Sequence, residues 1–437
     1  MHLRSPRSRL RAAVGALAGL SLTVHGFAGG MAVTMQSGAQ LGNAYSGEAA
    51  AEDASTVFYN PAGLMWLKHP ETEVSFTYLT SSGGFTNQGS TTAGAIPTAG
   101  GNGGTAISNA LIPTFYAAYP FSDKIAFGFG VSVPFGLGTD YDAGWVGRYH
   151  ALKTELRTLD LSPAIAWKIT EDVSLGFGFD WQRADATITN AVDFGLLGFA
   201  NGVPGLVPGG ADGGLSVKGN DTRQGFNVGV LFNIADSGRL GVHYRSKMAH
   251  VLEGTATFSN VPAPFAALFP TQAASAPLTL PERLSVSFYY DLTRTVAVMA
   301  DWSWWKWSRF QTLAIDFANA ATPDATIPQH WNDASIYSAG VRWAQSETLA
   351  LRAGIALNET PVSSAAERSP RIPDSDRVWL CAGASWRFAE NLRGDLSLAH
   401  LSFKDSSTVN DDGLTHVLRG DFSLGVTVLS AQFTYGF

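Results

Sequence analysis

Residues that could carry covalent chemistry are few in this sequence and are not grouped. Cys381 is the only cysteine, so the chain can form neither an intramolecular disulfide nor a thiolate metal site. Hydrolysis by a nucleophile would need serine and histidine side chains within hydrogen-bonding reach, for which His243, His250 and His400 are candidates in principle only. The glycine-rich stretch GVPGLVPGGADGG lacks the lysine of a phosphate-binding loop. The sequence therefore predicts no enzyme, no cofactor and no metal site.

The composition points away from an ordinary soluble domain. Charged residues make up 15% of the 437 residues, against about 25% in soluble proteins. Glycine is frequent, with 47 residues, and aromatic residues reach 11%. The net charge of -7 gives no indication of a nucleic-acid partner.

The N-terminus has the features of a secretory signal. Four arginines between positions 4 and 11 precede an apolar run at 12–24, and Gly26 and Ala28 suit the -3 and -1 positions of a cleavage site. A membrane anchor is the alternative, but the run is shorter than the roughly 20 residues that a spanning helix needs. We therefore predict a signal peptide at 1–28 and an exported mature chain.

Most of the remaining chain alternates with a period of two. In SLGFGFDWQ, large residues from Leu175 to Trp181 alternate with Ser174, glycines and Asp180. The second face is small or polar and holds few lysines or glutamates, whereas a soluble β-sandwich would place charged residues on its outer face. This pattern is typical of a barrel with lipid outside and a polar lumen. WSWWKW at 302–307 would cross one interfacial aromatic girdle.

These observations predict an all-β fold, a transmembrane antiparallel β-barrel formed by residues 71–437. An even number of strands suits a bacterial barrel, and the alternating final residues Phe433, Tyr435 and Phe437 are typical of a last outer-membrane strand. The fourteen predicted strands are 71–81, 112–120, 124–134, 154–168, 172–190, 218–234, 238–258, 278–291, 295–318, 332–344, 347–358, 375–388, 391–404 and 415–437.

Residues 29–70 precede the first strand and do not alternate. A barrel of fourteen strands has a lumen too wide to be filled by its own side chains. The segment is rich in small residues, contains the Asn60-Pro61 turn, and has apolar residues such as Val57 and Leu64 that argue against a disordered tail. We predict that 29–70 is a hatch that plugs the lumen.

The motifs of this segment resemble those of the outer-membrane long-chain fatty-acid and hydrocarbon transporter family, the FadL/TodX group. The resemblance rests on LGNAYSGEAA and DASTVFYNPAGL, and is supported by VPFGLGTDY, GWVGRYHALKTEL and RIPDSDRVWL. It implies a fourteen-stranded barrel with an N-terminal hatch, and passive uptake of hydrophobic molecules through a side opening in the wall. The hatch motif of the family falls on Asn60, Pro61 and Ala62.

A break in the wall is expected near Pro134, Phe135 and Gly136. Proline has no N–H to donate and is confined to strand ends, edges and bulges, and the glycine after Phe135 permits a sharp bend. The plain alternative is that the strand ends at Val133. The family resemblance implies an inward kink with a lateral opening at these positions.

Two predicted outer loops are unusually apolar, and exposed apolar clusters mark binding sites. We interpret them as a first capture site, although the loops could instead pack on each other and cap the barrel. The candidate capture residues are Phe194, Leu196, Leu197, Phe199, Phe265, Leu268 and Phe269.

The resemblance also suggests an inner pocket beside Met31. Fatty-acid importers of the family hold the carboxylate with basic side chains, but the matching positions here are Asn190 and Asn332. Arg183, Lys218 or Arg223 could substitute. The absence of charge at the two asparagines weakens a fatty-acid assignment and leaves room for neutral hydrophobic molecules.

Together these features predict an outer-membrane channel for passive uptake of hydrophobic molecules by lateral diffusion through a gap in the barrel wall. Long-chain fatty acids are the expected substrates, and toluene-type or xylene-type hydrocarbons are the alternative. A general porin and a structural or adhesive barrel are alternatives of another class. The expected partners are a hydrophobic small molecule and outer-membrane lipid, with the protein acting as a monomer.

Overall fold

A computed structural model describes residues 30–93, 95–235, 237–413 and 416–437 of the chain. The predicted signal peptide at 1–28 lies outside the described residues, as does position 29 at the start of the predicted hatch.

The described residues form fourteen barrel strands, one for each predicted strand. Six of the strands run in two segments on either side of a bend or interruption. The strands are β1 Glu71–Asn87, β2 Ala110–Ser122, β3 Ile125–Ser132 with Gly136–Asp140, β4 Lys153–Lys168, β5 Val173–Asp193, β6 Asp212–Asn233, β7 Gly238–Arg245 with Met248–Ser259, β8 Gln272–Leu280 with Arg283–Asp291, β9 Val296–Trp305 with Thr312–Phe317, β10 Ala325–Pro328 with Ala334–Ala344, β11 Leu349–Asn358, β12 Arg377–Ala389, β13 Leu392–Phe403 with Ser406–Asp411, and β14 Val417–Gly436.

Each strand pairs antiparallel with its neighbours in the chain, and the ring closes between its two ends. Strand β1 pairs with β14 from Glu71 opposite Gly436 to Asn87 opposite Gly420. Closure satisfies the backbone groups that an open sheet edge would expose to lipid. The predicted fourteen-stranded antiparallel barrel is therefore confirmed.

The two faces of the wall separate by polarity as the alternation predicted. On β5, Leu175, Phe177 and Phe179 are exposed, whereas Ser174 before them and Asp180 after them are buried. The same outward apolar pattern recurs on the other strands, as at Phe127, Phe226 and Leu351. The outer surface therefore suits contact with lipid tails, and polar groups face inward.

The predicted aromatic girdle at 302–307 is only half right. Trp302 and Trp304 lie on the outer face and are half-buried, but Trp305 and Trp307 are 4% and 1% exposed. The first segment of β9 ends at Trp305, and the 3₁₀ turn Trp307–Arg309 directs the chain away from the strand line. Trp305 shares the inward face of the strand with Asp301 and Ser303, and Trp307 is also buried inside the barrel.

The N-terminal segment, residues 30–67, contacts strands on all sides of the ring. It contains helix α1 Gly38–Gly42, helix α2 Thr56–Tyr59, and the 3₁₀ turns Glu48–Ala50 and Pro61–Trp66. Position 38 packs on β14 beside Gln432, position 42 on β11 and β13, and position 62 on β5. A buried segment that touches opposite sides of a closed ring must lie inside it.

The remaining short elements lie between the barrel strands. Long and short connections alternate: 123–124, 169–172 and 345–348 are short turns at one end, here called the turn end. Segments 141–152, 194–211 and 359–376 are long and define the loop end. The loops contain helix α3 Phe194–Ala200, the 3₁₀ turn Ala263–Phe265, and a small hairpin of Thr91–Thr92 with Ile96–Pro97. Among the described residues, no helix combines the length and apolar character needed to span a membrane.

Candidate functional site

Strand β3 is interrupted between Ser132 and Gly136, the region of the predicted kink. Pro134 has no amide hydrogen, and its carbonyl accepts a hydrogen bond at 2.8 Å from the amide of Val33 in the N-terminal segment. Gly136 N donates to Met31 O at 2.9 Å, and Ala32 lies opposite Phe135 in an antiparallel bridge. The chain therefore leaves the wall ladder here and pairs with the N-terminal segment inside the barrel.

Because of this interruption, part of β2 lacks a hydrogen-bonded partner strand on the side that faces β3. Strand β2 pairs with β3 only from Phe115 to Ser122, while its residues 110–114 pair with β1 alone. The second segment of β3, Gly136–Asp140, pairs with β4. Contact resumes nearer the loop end, where Ser108 N donates to Gly138 O at 3.0 Å. The hydrogen-bond ladder of the wall is thus broken between residues 110–114 and 133–137, and we call this break in the pairing the opening.

Gln36, which sequence reasoning missed, connects the two edges of this opening. Its amide Nε2 donates to Val133 O at 2.6 Å, and its Oε1 accepts from Val133 N at 3.1 Å. On the other edge, Thr114 Oγ1 donates to Gln36 O at 2.9 Å. Gln36 replaces the wall partners that the kink removes. A single glutamine in a segment without alternation carries no sequence signal for this role.

An apolar cavity lies inside the barrel above the opening, towards the loop end. Met31, the residue at which the inner pocket was predicted, lines one side of it and is 2% exposed. Most of the remaining wall is aliphatic or aromatic and comprises Leu137, Leu156, Ile188, Leu252, Leu278, Phe310, Leu313 and Ile372. The lining of the cavity is therefore mainly apolar.

Arg371 brings a positive charge to this apolar cavity. The residue comes from segment 359–376 and is 3% exposed. Its Nη2 donates to Asn190 Oδ1 at 3.0 Å and its Nη1 to Thr154 Oγ1 at 3.3 Å, while Nε has no hydrogen-bond partner among the described residues. No carboxylate of the described residues pairs with Arg371. Burial lowers the pKa of Arg371 to about 10, so the side chain remains charged at neutral pH.

The other candidates for a headgroup contact do not meet at the cavity. Asn190 contacts the cavity only indirectly, because it accepts a hydrogen bond from Arg371. Asn332 is exposed and donates its backbone N–H to Pro361 O. Arg183 and Arg223 lie at the exposed outer surface, paired with neighbouring aspartates. Lys218 borders the cavity but is itself exposed. Arg371 is the first residue of RIPDSDRVWL, which supports the family resemblance. The sequence alone indicated no role for this arginine.

Glu155 also lines the cavity, and its charge is balanced locally. It is ion-paired with Lys153 at 3.1 Å and with Arg157. The acid therefore does not neutralise Arg371, and the guanidinium is left facing polar but uncharged groups.

Aromatic rings separate this cavity from the interior nearer the turn end. Phe135 is 3% exposed and meets Trp305 and Trp307 edge to face, with ring centroids 6.0 and 6.2 Å apart. Trp307 meets Trp331 at 5.2 Å in the same manner. The kink therefore places Phe135 in the lumen as part of an aromatic barrier.

The predicted capture residues divide into a packed group and an exposed group. Phe194 stacks on Phe265 at 5.9 Å and meets Phe269 edge to face at 5.4 Å. Phe199 and Leu268 are 62% and 37% exposed, and Leu196 and Leu197 are half-buried. Packing between the two loops thus coexists with an exposed apolar surface at the loop end.

A histidine holds the base of the loop that carries α3. Asp193 caps this helix by accepting from Leu196 N at 2.8 Å, and His416 Nε2 lies 3.4 Å from Asp193 Oδ2. His416 Nδ1 lies 2.7 Å from Asp412. Burial alone would lower the pKa of His416, but hydrogen bonds and ion pairing with the two aspartates raise it to about 9.

This anchor should weaken in alkaline solution. The folded pKa is above the unfolded value of about 6.5, so its stabilisation is complete below that pH and is lost as pH rises through about 9. We expect proteolytic cleavage within 201–210 to accelerate several-fold between pH 7 and pH 9.5. In His416→Gln the loop should be cut quickly at both pH values; an unchanged pH dependence in that variant would rule the anchor out.

The Asn60-Pro61-Ala62 motif lies against glycines of the wall. Asn60 Oδ1 accepts from Ala62 N at 3.1 Å, and its Nδ2 donates to Val230 O of β6 at 3.2 Å. A Cβ built on Gly229 would lie 1.9 Å from Asn60 Oδ1, and one on Gly176 would lie 2.2 Å from Ala62 N. The wall leaves room for the motif only because these positions are glycine.

The matching family model has the description "Outer membrane protein transport protein (OMPP1/FadL/TodX)" and covers residues 19–437. The chain belongs to this family. A FadL/TodX chain of this kind is an outer-membrane transporter of hydrophobic substrates, and the localisation predicted from the sequence is confirmed. Members of the family are transporters or channels.

Relatives of this FadL/TodX protein match along most of its length. It is 30% identical to outer membrane protein P1 of Haemophilus influenzae over 406 residues, covering 85% of this chain and 86% of the relative. It is 27% identical to the long-chain fatty acid transport protein of Escherichia coli O6:H1, covering 87% and 88%.

Solved structures of the family share the barrel. A Pseudomonas aeruginosa FadL homologue superposes with a TM-score of 0.86 at 25% identity, covering 93% of this chain and all of the homologue. The Pseudomonas putida toluene transporter TodX gives a TM-score of 0.67 at 18% identity, covering 88% of this chain and 94% of TodX. The second likeness concerns the fold alone.

Proposed function

We propose that this protein takes up long-chain fatty acids, and that Arg371 receives the carboxylate. A carboxylate buried in an apolar cavity without a cation is costly, and Arg371 is a buried, charged group without an acidic partner among the described residues. The aliphatic lining of the cavity suits the hydrocarbon chain. The unpaired guanidinium at the apolar cavity is the observation that carries the proposal.

The proposed route begins at the loop end. Exposed Phe199 and Leu268 make the first contact with the substrate, which then enters the cavity beside Met31. Exit occurs sideways through the opening at 133–137, because each methylene that stays in an apolar environment retains roughly 0.8 kcal/mol of burial free energy. The N-terminal segment 30–67 acts as the plug that prevents passage straight through the lumen.

Aromatic hydrocarbons are the second candidate, favoured by the apolar lining of the same cavity. A neutral hydrocarbon gains nothing from the guanidinium of Arg371. Oleate and toluene therefore distinguish the two proposals.

Replacing Arg371 by glutamine should weaken oleate binding about 10- to 100-fold. Hydrogen bonds to a charged group are each worth about 1.5–3 kcal/mol, and 1.4 kcal/mol is tenfold in affinity. Calorimetry on the full-length protein in nanodiscs would compare oleate with methyl oleate, which lacks the charge and should be unaffected.

Arg183→Gln is the matched control, because Arg183 is half-exposed and paired with Asp185 at 2.9 Å. It should bind oleate as the wild type does. Equal oleate affinity in Arg371→Gln and wild type, or toluene binding tighter than oleate in the wild type, would contradict a fatty-acid function.

A further inference from the structure

A second cavity lies on the other side of the aromatic barrier. Trp305, which meets Phe135, also lines a space between the N-terminal segment and strands β8–β12. Its walls include the rings of Tyr45, Phe58, Tyr59 and Trp379. Tyr45 and Trp379 stand edge to face with centroids 5.7 Å apart. The cavity is therefore aromatic and lies beside the kink at the level of Val33 and Thr34.

Polar atoms without partners collect on this cavity. Neither amide atom of Asn358 has a hydrogen-bond partner among the described residues, although the residue is 3% exposed. The same is true of Tyr45 Oη, Trp379 Nε1 and Asp301 Oδ1. Each unsatisfied buried polar group costs about 1–3 kcal/mol, and such groups are rare in native proteins. Their convergence on one cavity indicates a polar ligand.

The charged groups at the cavity restrict the class of this ligand. Glu48 is paired with Arg283 and accepts from Ser285 Oγ at 2.7 Å, while Asp301 Oδ2 accepts from Glu48 N at 3.1 Å. A ligand anion would meet the carboxylates of Glu48 and Asp301, and a cation would meet the guanidinium of Arg283. With anions and cations both disfavoured, the ligand that fits these charges is a neutral molecule with a group that both donates and accepts hydrogen bonds.

We infer that this cavity is a binding site for a small aromatic alcohol of the phenol type. The hydroxyl group donates to Asn358 Oδ1 or Asp301 Oδ1 and accepts from Trp379 Nε1 or Asn358 Nδ2. The ring packs edge to face among Tyr45, Phe58 and Trp305, as aromatic pairs prefer. This site is separate from the cavity of Arg371 and does not depend on the proposed fatty-acid function.

Phenol and toluene form a matched pair of probes, because they have nearly the same size and differ by a hydroxyl in place of a methyl. Titration of the full-length protein in nanodiscs, followed by calorimetry, should give phenol an affinity at least tenfold above that of toluene. Asn358→Leu, which keeps the side-chain size, should reduce this preference to about twofold or less. Trp379→Phe removes one donor, keeps an aromatic ring and should lower phenol affinity alone.

Asn332→Leu repeats the same substitution at an exposed asparagine and should keep the wild-type preference. Arg371→Gln should keep phenol binding while losing oleate binding; loss of phenol binding there would place phenol in the other cavity and overturn the inference. Equal affinities for phenol and toluene in the wild type would also overturn it. A crystal structure with saturating phenol that holds only ordered water among Asn358, Asp301 and Trp379 would do the same.

Discussion

Uptake of oleate into proteoliposomes should fall at least tenfold in Gly136→Arg, while the barrel still assembles. Gly136 is buried at the wall opening, and its N–H donates to Met31 O at 2.9 Å. An arginine side chain there fills the opening and puts a charge on the path from the cavity to the lipid, where desolvation of a charge is expensive. Oleate binding at the loop end should persist, because the capture residues are on other loops.

Gly144→Arg provides the matched control. Gly144 is exposed in segment 141–152, and a Cβ built on it meets nothing within 4 Å. This variant should transport normally, and heat-modifiable migration on gels would report assembly of both proteins. Full transport by an assembled Gly136→Arg protein would refute lateral exit at this opening.

Deleting residues 30–64 should convert a closed protein into a conducting pore. These residues lie inside the barrel, and nearly all of them are buried. A lumen of fourteen strands is too wide for wall side chains to close it, so water and ions should fill the space that the segment leaves. Single-channel recording in planar bilayers would measure a large, steady conductance that the full-length protein lacks.

The deletion also removes polar contacts of the wall, so assembly must be established first. Arg352 and Arg342 lose Glu52, to which they are bound at 2.7 and 2.5 Å, and Arg393 loses Asp53. The double substitution Glu52→Gln and Asp53→Asn is the control, because it removes these ion pairs while retaining the segment. An assembled deletion variant that stays closed would contradict the plug, as would equal conductance in the control.

The barrel could be predicted from the period-two alternation because every strand has one face towards lipid and the other towards the lumen. In each strand, apolar residues face lipid and small or polar residues face the lumen, so the sequence alone located all fourteen strands. The interruption of β3 also had a local cause in the sequence, since Pro134 lacks the N–H of a ladder rung. WSWWKW obeys the same alternation: Trp302 and Trp304 face outwards, whereas Trp305 lies on the inward face of the strand with Ser303, and Trp307 is likewise buried.

The contents of the lumen were decided by the tertiary structure. Arg371, Asn190 and Met31 are far apart in the chain and meet because the loop before β12 and the N-terminal segment both enter the barrel. Gln36 bridges the wall opening for the same reason. Such contacts depend on irregular backbone, which leaves no periodic trace in a sequence. The strands of this protein can thus be predicted from its residues, whereas the polar groups that select a substrate can be placed only after the chain has closed around them.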